Sequence, residues 1–278
     1  MFLMSIFKLS GISLAFAVII SMIAGIFIGG LIVIINLIFN ISISQTYFFL
    51  TAFESALVIS LILSIAYIIR EYILMNKLSE IFKEHGDSRE YINELERQIA
   101  SEKFALKKAR LQLLLANNYE QQRDYEKVFE TVKSIDVENL TNSMKAKFYS
   151  DIVYYYVMTN QLDNAKYVLK LSEKYIEKYY CRGEYASSIC NNLGVFEYSQ
   201  GNLIKAETNF LYAKGYAKSQ RDKINADLYL GLIYVNTNRK EYARDIVLDN
   251  IKKVRNKRHK EDMTKLINRI EIAFLKSC

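Results

Sequence analysis

Proline and tryptophan are absent altogether, histidine occurs only at His85 and His259, and there are three cysteines. Each shortage removes a class of reading. An enzyme needs reactive groups that converge, and here one histidine stands by a predicted helix stop and the other inside a basic run. A zinc site built from Cys181, Cys190 and a histidine lacks the close ligand pairs that such sites use. No glycine-rich phosphate loop, HExxH run or nucleophile elbow occurs. The sequence therefore predicts no enzyme, no cofactor and no metal. Cys181, Cys190 and Cys278 are odd in number and irregular in spacing, so they do not read as a disulfide framework. Free thiols in a reducing compartment are the simpler account, with one bridge left open. Cys278 has no residue after it, so it does not form a prenylation signal of the usual form. Lack of proline and tryptophan beside abundant Ile, Asn, Lys and Tyr points to an AT-rich bacterial genome.

Charge is missing as well, from one end only. No charged residue lies between Lys8 and Glu54, or between Glu54 and Arg70, whereas charges are dense from Leu74 onward. The first apolar run, about Ile12 to Phe39, exceeds the roughly 20 residues that cross a bilayer as helix. A cleaved signal peptide would normally have an apolar region of about 7 to 15 residues and a polar, small-residue cleavage site. Residues 1–75 are therefore expected to form a two-helix transmembrane anchor, its second span starting near the aromatic Tyr47, Phe48 and Phe49 and ending near Ile69. Lys8, Arg70, Lys77 and Lys83 flank the pair, and the loop between carries no positive charge. The positive-inside rule then puts both termini in the cytoplasm at the cell membrane. Gly25 and Gly29 are four apart, which suits close helix pairing, though glycine is also ordinary in membrane helices. Glu54 is the one ionisable group inside a span, either a proton-sensing or polar contact or a carboxyl that snorkels to the interface.

Beyond the anchor the chain is helical in pattern and repeats itself. Past Arg70 a helix is expected to run to Gly86, with Asp87 or Ser88 capping the next, and residues 76–104 read as a helical stalk or a degenerate first hairpin. From 105 onward one pattern recurs four times. Val128, Ala165, Ala206 and Ala243 align on a second helix, with Ala116, Val153, Gly194 and Gly231 twelve residues earlier on a first. Tyr119, Tyr156 and Tyr234 follow by three residues in three copies, where the remaining copy has Glu197. The turn falls at Arg123, Asn160, Gly201 and Asn238. Small residues at these places let two helices approach closely. Four and seven residues past the second small position stand Val132 and Ile135, Leu169 and Ser172, Phe210 and Ala213, Val247 and Asn250, a shared face at helical period.

This pattern resembles the tetratricopeptide repeat, although its spacings of 37, 41 and 37 residues exceed the usual length of about 34 and the family's proline and tryptophan are missing. The resemblance implies an all-α fold: two transmembrane helices, then a right-handed α-solenoid of about four helix pairs with a C-terminal capping helix, the repeat domain occupying 105–278. The cap would present Met263, Leu266, Ile267, Ile270 and Phe274 on one face. Residues 251–278 hold nine Lys or Arg against three acids, most of the formal +7. The cluster at Lys252–Lys260 is read as a solvated charge run or a contact to anionic lipid.

In the family the first helices line the partner groove. Carried over position by position, that implies Arg110 and Asn117 in the first copy, Lys147, Asp151 and Tyr154 in the second, Asn191, Asn192 and Tyr198 in the third, and Asn225 and Tyr229 in the fourth. Amides and phenols of this kind bond and stack on an extended peptide. The resemblance thus implies a membrane-anchored scaffold or recruitment module that binds a protein or peptide at the cytoplasmic face and reads no specific nucleic acid. The alternative is a peptide-sensing receptor that relays through the helix after the second span. A transport role through Glu54 is a third reading. Homo-oligomerisation is compatible with all three.

Overall fold

The computed structural model describes residues 89–254 and 257–275, together with the isolated helical positions Ile38, Ile65, Ile69, Tyr72 and Ile73. The expected spans, Gly25, Gly29, Glu54, the helix stop at Gly86 and Cys278 lie outside the described residues, those five positions apart. The chain divides into two units, Met1–Glu84 and His85–Cys278. Among the described residues all regular structure is helical, and no helix is long and apolar enough to cross a membrane.

Among the described residues, ten α-helices follow one another through the second unit. They are α1 (Arg89–Ser101), α2 (Ala105–Gln121), α3 (Tyr125–Lys133), α4 (Asn142–Met158), α5 (Leu162–Tyr179), α6 (Ala186–Ser199), α7 (Leu203–Tyr216), α8 (Gln220–Asn236), α9 (Lys240–Asn250) and α10 (Lys257–Leu275). A 3-10 turn, Val137–Asn139, joins α3 to α4. Three of the helices start on a side-chain cap. Asp124 accepts from the Lys127 amide, Thr141 from Met144 and Ser219 from Asp222, each satisfying an amide that the helix leaves open.

The four turns inside the hairpins are built alike. Arg123, Asn160, Gly201 and Asn238 all have positive φ, between 58° and 76°. After each, the next amide reaches back to close the helix: Asp124 to the carbonyl of Tyr119 (3.0 Å), Gln161 to Tyr156 (2.8 Å), Asn202 to Glu197 (3.0 Å) and Arg239 to Tyr234 (2.7 Å). This is the Schellman motif, in which one left-handed residue lets two orphaned carbonyls find donors. The position three residues past the first small one, aromatic in three copies, supplies the carbonyl each time.

Helix pairs α2–α3, α4–α5, α6–α7 and α8–α9 pack as hairpins, α4 lies beside α6 and α6 beside α8, and α10 covers α8 and α9. Helix α1 packs on α2, burying Tyr91, Ile92 and Leu95. Ala116, Val153, Val128, Ala165, Ala206 and Ala243 are all 0% exposed, so the aligned small positions are the contact points of the paired helices. Gly194 and Gly231 complete the set, and the Phe210 ring and the Leu266 side chain fill the space a Cβ would need. One apolar core joins the third and fourth hairpins around Phe210, Leu230 and Ile233. Another seats α10 through Met263, Leu266 and Ile270 on Ile224, Leu228, Ala243 and Val247. The apolar face expected of the cap is therefore its buried face, with Ile267 partly covered and the Phe274 side chain outside the described residues.

Candidate functional site

The residues read as groove lining stand on α2, α4, α6 and α8, and most of them bond to the neighbouring hairpin. Between α2 and α4, Tyr155 Oη donates to Asn117 Oδ1 (2.9 Å), Tyr154 Oη donates to Glu120 Oε1 (2.7 Å), and Arg110 Nε meets Met144 Sδ at 3.5 Å. Between α4 and α6, Asn192 Nδ2 donates to Asp151 Oδ1 at 2.9 Å, and Lys147 pairs with the other oxygen of Asp151. Asp151 and Asn192 are both buried, so they hold two repeats together instead of facing solvent. Between α6 and α8, Tyr198 and Tyr229 meet edge to face at 5.8 Å, Tyr229 stacks on Phe210 at 4.8 Å, and Asn236 donates to Tyr198 Oη. Asn225 Oδ1 lies 2.6 Å from His259 Nε2. Asn191 is half-buried, and its Oδ1 has no hydrogen-bond partner among the described residues. The same repeat position carries Asp151 and Asn192 in adjacent copies, so stacking brings an acceptor against a donor.

One constellation on this face was not read from the sequence. Arg258, in the first turn of α10, sends Nη1 to Glu120 Oε1 (2.7 Å) and to the Glu120 carbonyl (3.0 Å), and Nη2 to Tyr154 Oη (3.4 Å). A second pair runs the other way, Arg123 to Asp262 at 3.5 Å. Glu120 and Arg258 have side chains only 6% and 14% exposed, so this is an interior ion pair, in which loss of either partner leaves a stranded charge. Burial alone would lower the guanidinium's pKa, but Glu120 and Tyr154 outweigh it and hold the group above its usual value. Burial likewise lifts the phenol of Tyr154 well above its ordinary range, with Glu120 adding to the effect, and pushes Tyr125 up to about 12. Of the basic cluster, Lys252, Lys253 and Lys260 are exposed, whereas Arg258 and His259 turn inward.

The second helices present a different surface. Tyr167 and Leu171 on α5, Ile204 and Leu211 on α7, and Tyr242 and Leu248 on α9 are between 49% and 85% exposed. A groove of about 590 Å³ runs between α5 and α7 over α6, its walls including Lys166, Lys170, Glu173, Ile204 and Asn209. Tyr180 donates to Asn209 at its floor (2.7 Å). Near it Cys181 Sγ and Cys190 Sγ lie 3.4 Å apart as free thiols, and burial pushes Cys190 up to about 12. Among the described residues no group of three or more His, Cys, Asp or Glu is arranged to hold a metal ion. The exposure of the second-helix residues had a signal in the sequence, since Tyr167, Leu171 and Ile204 fall off the small-residue face. No protein-family model, curated protein or solved structure gives a significant match to the chain.

Proposed function

We propose that the chain is a tetratricopeptide-like scaffold that recruits a protein or peptide to the cytoplasmic face of the cell membrane, held there by two spans within residues 1–75. The observation that carries this reading is the fourfold register of the hairpins: the same small residues are buried, and the same turn is left-handed, in every copy. A right-handed α-solenoid is the assembly such a register favours, and its product is extended surface. Two surfaces offer themselves. The first-helix face carries amides and phenols, several already committed to neighbouring hairpins, and the second-helix face carries exposed Tyr, Leu and Ile. Exposed apolar residues in a row are a recognised mark of interaction sites.

The test is crosslinking in intact membranes followed by identification of what copurifies with the full chain. A discrete protein or peptide partner, lost when Ile204→Asp and Leu211→Asp are introduced together or when Tyr198→Ala is introduced, supports recruitment. Recovery of the chain with no partner above background would sink it. The sensing alternative is favoured by one feature, the attachment of α10 to the first hairpin through Arg258, because an internal tie is something a ligand can release.

A further inference from the structure

We propose that Glu120 and Tyr154 form a receiving site for an arginine side chain of a partner peptide, and that Arg258 is its intramolecular occupant. This rests on the recruitment reading and names the chemistry of the partner. The site is shaped for a guanidinium. It offers a carboxylate oxygen at 2.7 Å, a main-chain carbonyl at 3.0 Å and a phenol oxygen at 3.4 Å, three acceptors for one planar set of donors. Lysine, a compact charge on a flexible stem, does not present a planar fork to three separated acceptors. Glu120 is buried, Tyr154 and Gln121 donate to its two oxygens, and Arg258 is the cation within ion-pair distance of it among the described residues. An acid so placed demands a cation whether or not α10 provides it.

The occupant is separable from the rest of its helix. Helix α10 is seated on α8 and α9 by Met263, Leu266 and Ile270, whereas its polar reach to the first two hairpins comes from Arg258 and Asp262 at its start. Withdrawing the first turn thus breaks these ionic contacts and the His259–Asn225 hydrogen bond, while the apolar seat of Met263, Leu266 and Ile270 stays in place. In the connection before α10, Ile251, Lys252 and Lys253 are exposed, and Val254 is buried in the core that seats the helix. A tethered occupant competes with a free ligand at high effective concentration, so an arginine peptide binds weakly until the tether is weakened.

The probe is a fluorescent peptide copying residues 255–264 of this chain, with a second version in which the residue matching position 258 is alanine. Binding is read by anisotropy to the detergent-solubilised full chain as wild type, as Arg258→Ala, and as Arg258→Ala with Glu120→Gln. The expected result is about tenfold or greater tightening on Arg258→Ala, since the competent fraction rises. Glu120→Gln removes that gain, and the alanine peptide does not bind. Equal binding to wild type and Arg258→Ala, or a gain that ignores Glu120, overturns the proposal. If Arg258→Ala does not fold, hydrogen exchange on the wild type decides: a saturating arginine peptide is expected to speed exchange at 257–262, and unchanged exchange overturns the site. A concentration-dependent dimer that Glu120→Gln dissolves would assign the arginine to a second copy and overturn the peptide partner. A captured partner indifferent to Glu120 would leave recruitment standing and sink the arginine site alone.

Discussion

Gly194 and Gly231 occupy equivalent places in successive repeats, yet what each faces differs. A Cβ on Gly194 would lie 2.8 Å from the Phe210 ring, which is 0% exposed and stacked on Tyr229. On Gly231 it would meet Leu266 Cδ2 at 2.5 Å, in a side chain only 1% exposed within the core that seats α10. Alanine in a helix gains about 1 kcal/mol over glycine, whereas overfilling a packed core costs about 1–3 kcal/mol. Gly194→Ala and Gly231→Ala are therefore each expected to destabilise, by up to about 2 kcal/mol, read by urea unfolding followed through tyrosine near-ultraviolet dichroism. The thiols sort by the same reasoning. Cys181 is half-buried and Cys190 is fully buried with its thiolate disfavoured, so iodoacetamide is expected to modify Cys181 first, as peptide mass spectrometry would show. Modification of both at one rate in the native protein would contradict that. The sequence told the two small-residue rows apart by spacing alone, because close helix contact is a repeated, local demand. It said nothing of Arg258 and Glu120, which are 138 positions apart and form a single ion pair with no period to betray it.

At the level of the element, the hairpin turn is the most regular feature of the molecule. Three of its four left-handed positions hold a residue other than glycine, and asparagine fills two. Asparagine tolerates this conformation, while a residue with an ordinary Cβ pays about 1–2 kcal/mol there. Asn160→Ala is accordingly expected to lower stability by about 1 kcal/mol and Asn160→Gly to leave it level or slightly raised, by the same unfolding measurement. A larger loss with glycine than with alanine would mean that the Asn160 side chain, and not its backbone, holds the turn. These turns were legible because the register placed them even where Arg123 gave no compositional hint. The use of the first helices was less so. The family resemblance implies Asp151 and Asn192 as groove lining, whereas their burial at the α4–α6 seam depends on how neighbouring hairpins stack, which a helical period does not encode.

For the whole molecule, alkali is the informative stress. Burial raises Cys190 from 9.0, and Tyr125 and Tyr185 from 10.0, to about 12 in each case. The folded state thus holds these protons more tightly than the unfolded chain. Their contribution is intact below about pH 9 and is lost as pH rises toward 12, so Tm is expected to fall across that window, with Cys190→Ala flattening its lower part. A Tm constant from pH 9 to 11 would contradict these buried ionisations. A linear stack of repeats ordinarily frays, since its terminal members have a neighbour on one side only. Here the last helix reaches back to the first hairpin and turns a row into a loop. Once α1 is off, peeling from either end must then break the Arg258 link before it can proceed, which shifts the array from piecemeal melting toward all-or-none loss.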